Sequence, residues 1–379
     1  MYGWMRNARG WQLMGHANVF AQFLLESGEI HRRGHQFGSI NWAMGSAKRD
    51  FGSGRLTLRT MLSAEPWTIR GCGYPDLLAT GEICERDTIH DRQHPHDLFM
   101  ELAAEYDHAL TGTARWQLYV APAGEPALGP PAFPHRPSSF PNPLAPIAHH
   151  WLDSTHISFG VVTSGIYTAR WKVEGSVFNG REPDPVRTDF DFAALDSVAA
   201  RVSMAPTRHL TFQVSAGHLP QAEAGPGRLP RTDVTRATAS GSYQGGSITG
   251  TLWAATIAYG VNSQDSVIPE GRVHQTGHAV VAEAAVTIRD RHTSFGRVEM
   301  VGKPAHDFHA DQYAALVFTV GKLEVGYTRR LGQPHGVVVS VGGVGMVSLV
   351  PPLLGPYYGG RVRPGFGVFL NLRPPGHAM

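Results

Sequence analysis

Strict alternation of apolar and polar residues recurs along this chain in runs of about ten residues, and helical spacing of apolar residues is scarce. In 208–218, Leu210, Phe212, Val214 and Ala216 face one way while His209, Thr211, Gln213 and Ser215 face the other. In 54–64, Leu56, Leu58, Thr60, Leu62 and Ala64 oppose Arg55, Thr57, Arg59 and Ser63. In 166–177, Tyr167, Ala169, Trp171, Val173 and Val177 oppose Thr168, Arg170, Lys172, Glu174 and Ser176; in 279–289, Val280, Ala282, Ala284, Val286 and Ile288 oppose Glu283, Thr287 and Arg289. Each run is a strand with one greasy and one wet face, long enough to cross a bilayer.

A soluble sandwich alternates in the same way, so the connections must decide. Strands are expected at 11–25, 36–48, 53–65, 97–110, 113–122, 155–164, 166–178, 195–205, 207–219, 232–244, 246–259, 277–290, 291–302, 320–331, 336–349 and 363–373. Long connections (26–35, 66–96, 123–154, 179–194, 220–231, 260–276, 303–319 and 350–362) alternate with short ones at 49–52, 111–112, 165, 206, 245, 290 and 332–335. Loop length confined to one side marks an all-β outer-membrane barrel, with short periplasmic turns and long extracellular loops. The expected fold is therefore a single antiparallel transmembrane β-barrel of about 16 strands, an even number that returns both termini to the short-turn side. Residues 1–10 are expected to be an N-terminal periplasmic segment, 11–373 the barrel and 374–379 a C-terminal tail. The Pro-rich 122–146 stretch is expected to be an irregular outer loop with no helix or strand of its own.

Composition removes several alternatives. With 42% apolar residues and a net charge of +2, the chain lacks the polarity and self-repulsion of a disordered protein. Lys plus Arg (33) nearly balances Asp plus Glu (31) without a basic run, which argues against nucleic-acid binding. No apolar stretch is long enough for a membrane-spanning helix. Met1 is followed by Tyr2, Gly3, Trp4 and Arg6, so the sequence as it stands shows no signal peptide, as in a mature form or one with a wrongly chosen start. Cys72 and Cys84, without CxxC spacing, fit a loop disulfide formed in an oxidising compartment.

Four segments carry a resemblance: Asp91 to Leu102 (DRQHPHDLFMEL), His150 to Phe159 (HWLDSTHISF), Phe178 to Asp184 (FNGREPD), and Pro356 to Gly359 (PYYG). In these the chain resembles a family of uncharacterised bacterial outer-membrane β-barrel proteins. Members often carry a Met/His-rich N-terminal extension, which implies contact with metals such as copper. Here the beginning offers only Met1, Met5, Trp11 and Met14, which weakens that implication.

Chemistry is sought on the wet face and in the loops. Inward positions are expected for Asp97, Glu101 and Glu105, with Leu98, Met100, Leu102 and Tyr106 in lipid, and for Arg55, Arg59, Arg115, Arg170, Glu174 and Arg201. Together with His16 on the first strand, they form either a charged constriction selecting ions and small polar solutes or a set of opposite charges that pair to stiffen the interior. His90, His94, His96, His149, His150 and His156 cluster in the loops, with Asp91, Asp97 and Asp153 near them. Neutral imidazoles of this kind ligate Cu or Zn, although the spacing matches no established zinc pattern. No nucleophile-elbow or other catalytic constellation is present, so the chain is not expected to be an enzyme. These features point to a porin-like barrel of the bacterial outer membrane that passes or handles small polar solutes or metal ions, with the lipid bilayer as its partner. A non-conducting structural or adhesion barrel is the alternative, and a hydrolase with its residues at the outer rim a more distant one.

Overall fold

The computed structural model describes residues 3–85, 87–223, 230–247, 249–268 and 271–376. Its strands are β1 (Trp4–Ala8), β2 (Trp11–Glu26), β3 (Gly34–Phe51), β4 (Gly54–Leu62), β5 (Tyr74–Cys84), β6 (Asp87–Gln93), β7 (Phe99–Ala109), β8 (Arg115–Gly124), β9 (Ser158–Tyr167), β10 (Trp171–Phe178), β11 (Ser197–Met204), β12 (Leu210–Glu223), β13 (Thr232–Gly246), β14 (Thr251–Ile268), β15 (Gly271–Ile288), β16 (His292–Pro304), β17 (Val317–Gly332), β18 (Val338–Leu349) and β19 (Val362–Arg373). Sixteen of them, β2–β4 and β7–β19, form a closed antiparallel barrel in which each strand pairs with its sequence neighbours. Pairing of β19 on β2, from Leu372↔Val19 to Gly365↔Glu26, closes the ring and leaves no open edge.

The outer surface is the apolar half of the alternation. Leu58, Val173, Val214, Val280, Val298, Val325 and Val368 all stand exposed on it, while their sequence neighbours point inward. Trp171, Tyr243, Trp253 and Tyr327 lie exposed near the short turns, where amphipathic rings meet the membrane interface. An apolar belt around a closed barrel is a structure built for a bilayer.

Several local expectations are corrected. Within residues 1–10, read from sequence as a separate segment, β1 pairs with β2 from Trp4↔Gly15 to Ala8↔Trp11 and so extends the wall. The amide of Gly3 reaches the carbonyl of Pro375 at 3.1 Å, tying the two ends together; residues 377–379 of the expected tail lie outside the described residues. The turn expected near 165 falls at 168–170, so Tyr167 ends β9 facing the lumen and hydrogen-bonds Asp107 at 3.0 Å. Met100, expected in lipid, is buried inside: Met61 pairs with Glu101 but Leu62 with Phe99, and this bulge turns Met100 to the other face. The long connection expected at 260–276 is replaced by a hairpin in which β14 and β15 stay paired from Thr251↔Ile288 to Ile268↔Gly271. Residues 224–229 of the expected 220–231 loop are outside the described residues.

The main correction concerns the two longest loops, which fold into the barrel. The first holds the hairpin β5–β6, and Cys72 and Cys84 are disulfide-bonded across it with Cα atoms 5.7 Å apart. The second, Pro-rich one carries a 3₁₀ turn at Phe133–His135 and a helical turn at His149–Leu152. Leu77, Leu78, Ile147, Trp151 and Leu152 pack in one buried cluster with the wall residues Ala258, Val281, Val301, Phe318 and Val320. Gly277 on β15 leaves the room that the Trp151 indole occupies; a Cβ there would overlap the ring.

Val214 lies near the middle of β12, more than half exposed on the outer face, while Thr211 of the same strand faces inward. Val214→Arg is expected to weaken folding in lipid by about 2–4 kcal/mol, and Thr211→Arg by much less. Refolding titrations into vesicles measure both; equal losses would place the Val214 face outside the hydrocarbon.

Candidate functional site

The lumen divides into a polar periplasmic half and a filled outer half. In the inner half, Arg59 reaches Glu101 at 3.0 Å and Glu105 at 3.5 Å, and Arg201 reaches Glu174 at 2.9 Å and Glu125 at 3.3 Å. Lys172 adds a contact to Glu174 at 2.5 Å. These groups line a cavity of about 350 Å³ that also touches Met44, Met61, Met100, His135 and His156. Three cationic and four anionic side chains line it, already paired, so this part of the wall is a set of cross-links and not a ring of one sign. A second cavity, of about 460 Å³, shares Met44 and His135 with the first and opens among the short turns; His16 lines it, stacked on Phe140 with ring centroids 5.7 Å apart.

Above these cavities the Pro-rich loop crosses the lumen as a diaphragm. Arg136 is fully buried between Glu283 of β15 at 2.7 Å and Asp153 at 2.6 Å. Arg297 of β16 binds Glu283 at 3.2 Å, Glu324 of β17 at 3.3 Å and the carbonyl of Leu144 at 3.0 Å. Asn142 donates to Glu324 at 2.6 Å, and Asn18 of β2, three strands further round the wall from β17, donates to the carbonyl of Phe140 at 3.1 Å. The β5–β6 loop is anchored in the same way: Lys303 donates to the carbonyl of Leu78 at 2.8 Å, and Lys322 bridges Glu26 and Asp76.

Of the expected inward residues, His16, Arg59, Glu101, Glu105, Glu174 and Arg201 lie together in the inner half. Arg115 pairs with Asp107 near the periplasmic rim, and Arg55 pairs with Asp50 at the turn below it. Arg170 is not in the lumen; it sits exposed in the 168–170 turn. Asp97 is not on a wall strand either. It precedes β7 and is buried with its carboxylate 3.4 Å from Arg187, and burial pushes its pKa up to about 7.

Five of the six loop histidines come together, all buried in the plug. Measured between ring centroids, His156 is 5.1 Å from His149 and 5.4 Å from His96, while His149 is 5.6 Å from His150 and 6.2 Å from His94. His90 stays apart: its Nδ1 lies 2.9 Å from the Asp91 carboxylate and 3.0 Å from Arg32, and its ring is 4.3 Å from that of His309 in a 220 Å³ outer pocket. Asp91 is committed to Arg32 at 2.8 Å, Tyr358 at 3.0 Å and the Leu78 amide at 2.9 Å. In the row, His149 Nδ1 donates to Asp153 Oδ1 at 2.8 Å, His156 Nδ1 to the Asp153 carbonyl at 2.8 Å and His96 Nδ1 to Glu65 Oε1 at 2.9 Å. A neutral ring that donates from Nδ1 keeps its lone pair on Nε2, the arrangement of a metal-ready imidazole.

Even so, no three nitrogens of the row lie within 4.8 Å of one another among the described residues. Two other sets do: His150 with Glu182 and Glu223, and the more exposed Asp184, Asp189 and Asp191. Sequence reasoning missed Glu182, Glu223, Arg136 and Arg297. Glu182 stood inside the Phe178 to Asp184 segment, and Arg136 was a lone cation in a Pro-rich stretch, which were the available signals.

Burial lowers the pKa of His94, His149, His150 and His156 and takes His135 down to about 4; His96, beside Glu65, is raised despite its burial. The five lowered groups are neutral when folded and titrate near 6.5 when released, so their stabilisation is present above pH ~6.5 and is lost as pH falls toward 4. His96 contributes with the opposite sign. The protection factors of the 125–157 amides, taken against the intrinsic exchange rate at each pH, are expected to fall between pH 6.5 and 4.5 while the wall strands keep theirs; unchanged protection factors across that range would show that these rings do not hold the plug.

No family model matches the chain, and no curated protein matches it in sequence. Solved structures do match, over nearly the whole length. An anion-selective porin of Comamonas acidovorans is 10% identical with a TM-score of 0.53, covering 97% of this chain and 100% of its own. The outer-membrane channel DcaP of Acinetobacter baumannii is 9% identical with a TM-score of 0.52, covering 98% and 100%. Salmonella typhi OmpF, in complex with daunomycin, is 8% identical with a TM-score of 0.54, covering 97% and 100%. The fold, a closed sixteen-stranded antiparallel barrel, is that of the bacterial outer-membrane porins.

Proposed function

We propose that this barrel is a narrow outer-membrane channel that carries small charged solutes, divalent metal ions such as Zn(II) or Cu(II) among them. The observation that carries this reading is the line of imidazoles through the plug. His156 lines the 350 Å³ inner cavity, His149 and His94 continue outward, and His150 ends beside Glu182 Oε1 at 3.3 Å. The rings form a polar row that runs from the inner cavity toward the outer loops beside the apolar cluster around Trp151 and the buried ion pairs of Arg136 and Arg297. The porin-like fold supports the same reading, since the solved neighbours include proteins described as a channel and as an anion-selective porin.

A second reading has its own observation. The apolar cluster of Leu77, Leu78, Trp151 and Leu152 against the wall fills the outer half as a protein core fills a domain. A barrel so filled would act at the surface without conducting.

Planar-bilayer recording separates the two. The wild type is expected to conduct weakly. Arg136→Ala leaves Asp153 buried without its cation and Glu283 with Arg297 alone, a change that costs about 3–5 kcal/mol, and is expected to loosen the diaphragm and raise conductance. Absence of current in both proteins, with SDS-resistant barrels in each, would replace the channel by the surface barrel.

A further inference from the structure

The Phe178 to Asp184 segment has so far no part in the pore, yet it sends Glu182 into the outer end of the plug. Glu182 is pinned from both sides: its amide donates to the carbonyl of Ala222 at 2.9 Å, and its carbonyl accepts from Arg231 at 2.8 Å. Ala222 precedes Glu223, the last residue of β12, so this link brings the two carboxylates together. His150 approaches them from the helical turn His149–Leu152, held by Asn262 of β14, which donates to its carbonyl at 2.9 Å. One ligand atom from each of His150, Glu182 and Glu223 lies within 4.8 Å of the others.

Two further facts set this group apart from an ordinary acidic cluster. His150 is 5% exposed, its Nδ1 stands 3.3 Å from Glu182 Oε1, and its Nε2 is buried without a hydrogen-bond partner among the described residues. Gly81 of β5, with φ +120°, lies flat against the imidazole, where a Cβ would overlap the ring. The hairpin thus closes one side of the ring, and the partly exposed Glu182 and Glu223 leave the other side accessible.

We infer that His150, Glu182 and Glu223 bind a divalent first-row metal ion at the outer end of the plug. One imidazole nitrogen and two carboxylate oxygens suit Zn(II), with a water completing the shell, and lack the thiolate or thioether that selects Cu(I). The two carboxylates offset the charge of the cation, and the nearby Lys303 and Arg236 are directed elsewhere, to Leu78 and Thr80 and to Asn262 and Ser154. The site deepens the proposed function by giving the imidazole line a loading point, but its existence does not require that the barrel conduct.

Zn(II) is the probe, titrated by calorimetry into the detergent-purified full-length barrel. The wild type is expected to take up one tightly bound equivalent, and Glu182→Gln combined with Glu223→Gln to bind at least ~100-fold more weakly. Asp189→Asn, in the exposed acidic set, and His90→Ala, in the separate outer pocket, are expected to bind as the wild type does. Unchanged affinity in the double variant, or loss of the site in Asp189→Asn, would overturn the assignment. Zinc X-ray absorption on the wild type needs no folded variant: a shell with one imidazole and oxygen ligands supports the site, whereas three or more imidazoles, or no bound zinc, overturns it. Conductance without zinc uptake removes this site and keeps the channel; uptake without conductance does the reverse.

Discussion

Hydrocarbon offers no hydrogen bonds, so every peptide group of the wall must find its partner within the wall, and the closing pair β19–β2 is what makes this possible. Closure with sixteen strands has a second consequence. Eight strands make a barrel whose side chains fill it, whereas about sixteen leave a lumen wide enough for water. Here the chain fills half of that lumen with its own loops. Irregular backbone brought inside carries amide groups that the loops cannot pair among themselves, and inward side chains of the wall accept from them: Glu299 from Ile147 and Ala148, Glu26 from Leu77, Ser176 from Ala127, and Ser215 from Gly129. Polar wall positions that would line an open pore are thereby used to hold the plug.

Charge follows the same division. In the outer half the links run unbroken from Asp153 through Arg136, Glu283 and Arg297 to Glu324, every member buried, so each charge depends on its neighbours for compensation. In the inner half Arg59 and Glu101 remain partly exposed to the cavity, where water screens such pairs and each contributes little. Rigidity is therefore concentrated in the diaphragm, and the inner cavities are bounded on one side by a wet wall and on the other by a fixed floor.

The wall was legible in the sequence because its rule is local. Period-two alternation and one-sided loop length need no knowledge of distant residues, and the strands fall where alternation puts them. Errors occur where one residue changes the phase: the bulge that hides Met100, and the turn at 168–170 that sends Tyr167 inward and leaves Arg170 exposed. The direction of the long loops was not legible. Nothing within 122–146 announces that Arg136 will meet Glu283, 147 positions away, so a stretch rich in proline reads as an outer loop. The histidines show both sides of this. Nearness of the 66–96 and 123–154 loops in the barrel order brings five rings together, but the carboxylates beside His150, Glu182 and Glu223, arrive from other parts of the chain, and His90 is held apart by Asp91, Arg32 and His309.

The four segments that carry the resemblance meet inside the plug. Asp91 receives the hydroxyl of Tyr358, His96 lies against His156, His94 against His149 and His150, and His150 against Glu182. A plug needed only as a stopper is most stable with apolar contacts, since each buried imidazole gives up hydration and must be compensated. This one instead uses Asp153 and Glu65 to hold His149 and His96, and leaves the Nε2 atoms of His150 and His156 buried without a hydrogen-bond partner among the described residues. The acceptors fix tautomers: with Nδ1 donating, the lone pair of a neutral ring lies on Nε2. The polar groups of the plug are thus concentrated in this row of rings, and the apolar cluster around Trp151 supplies the stability that the row does not.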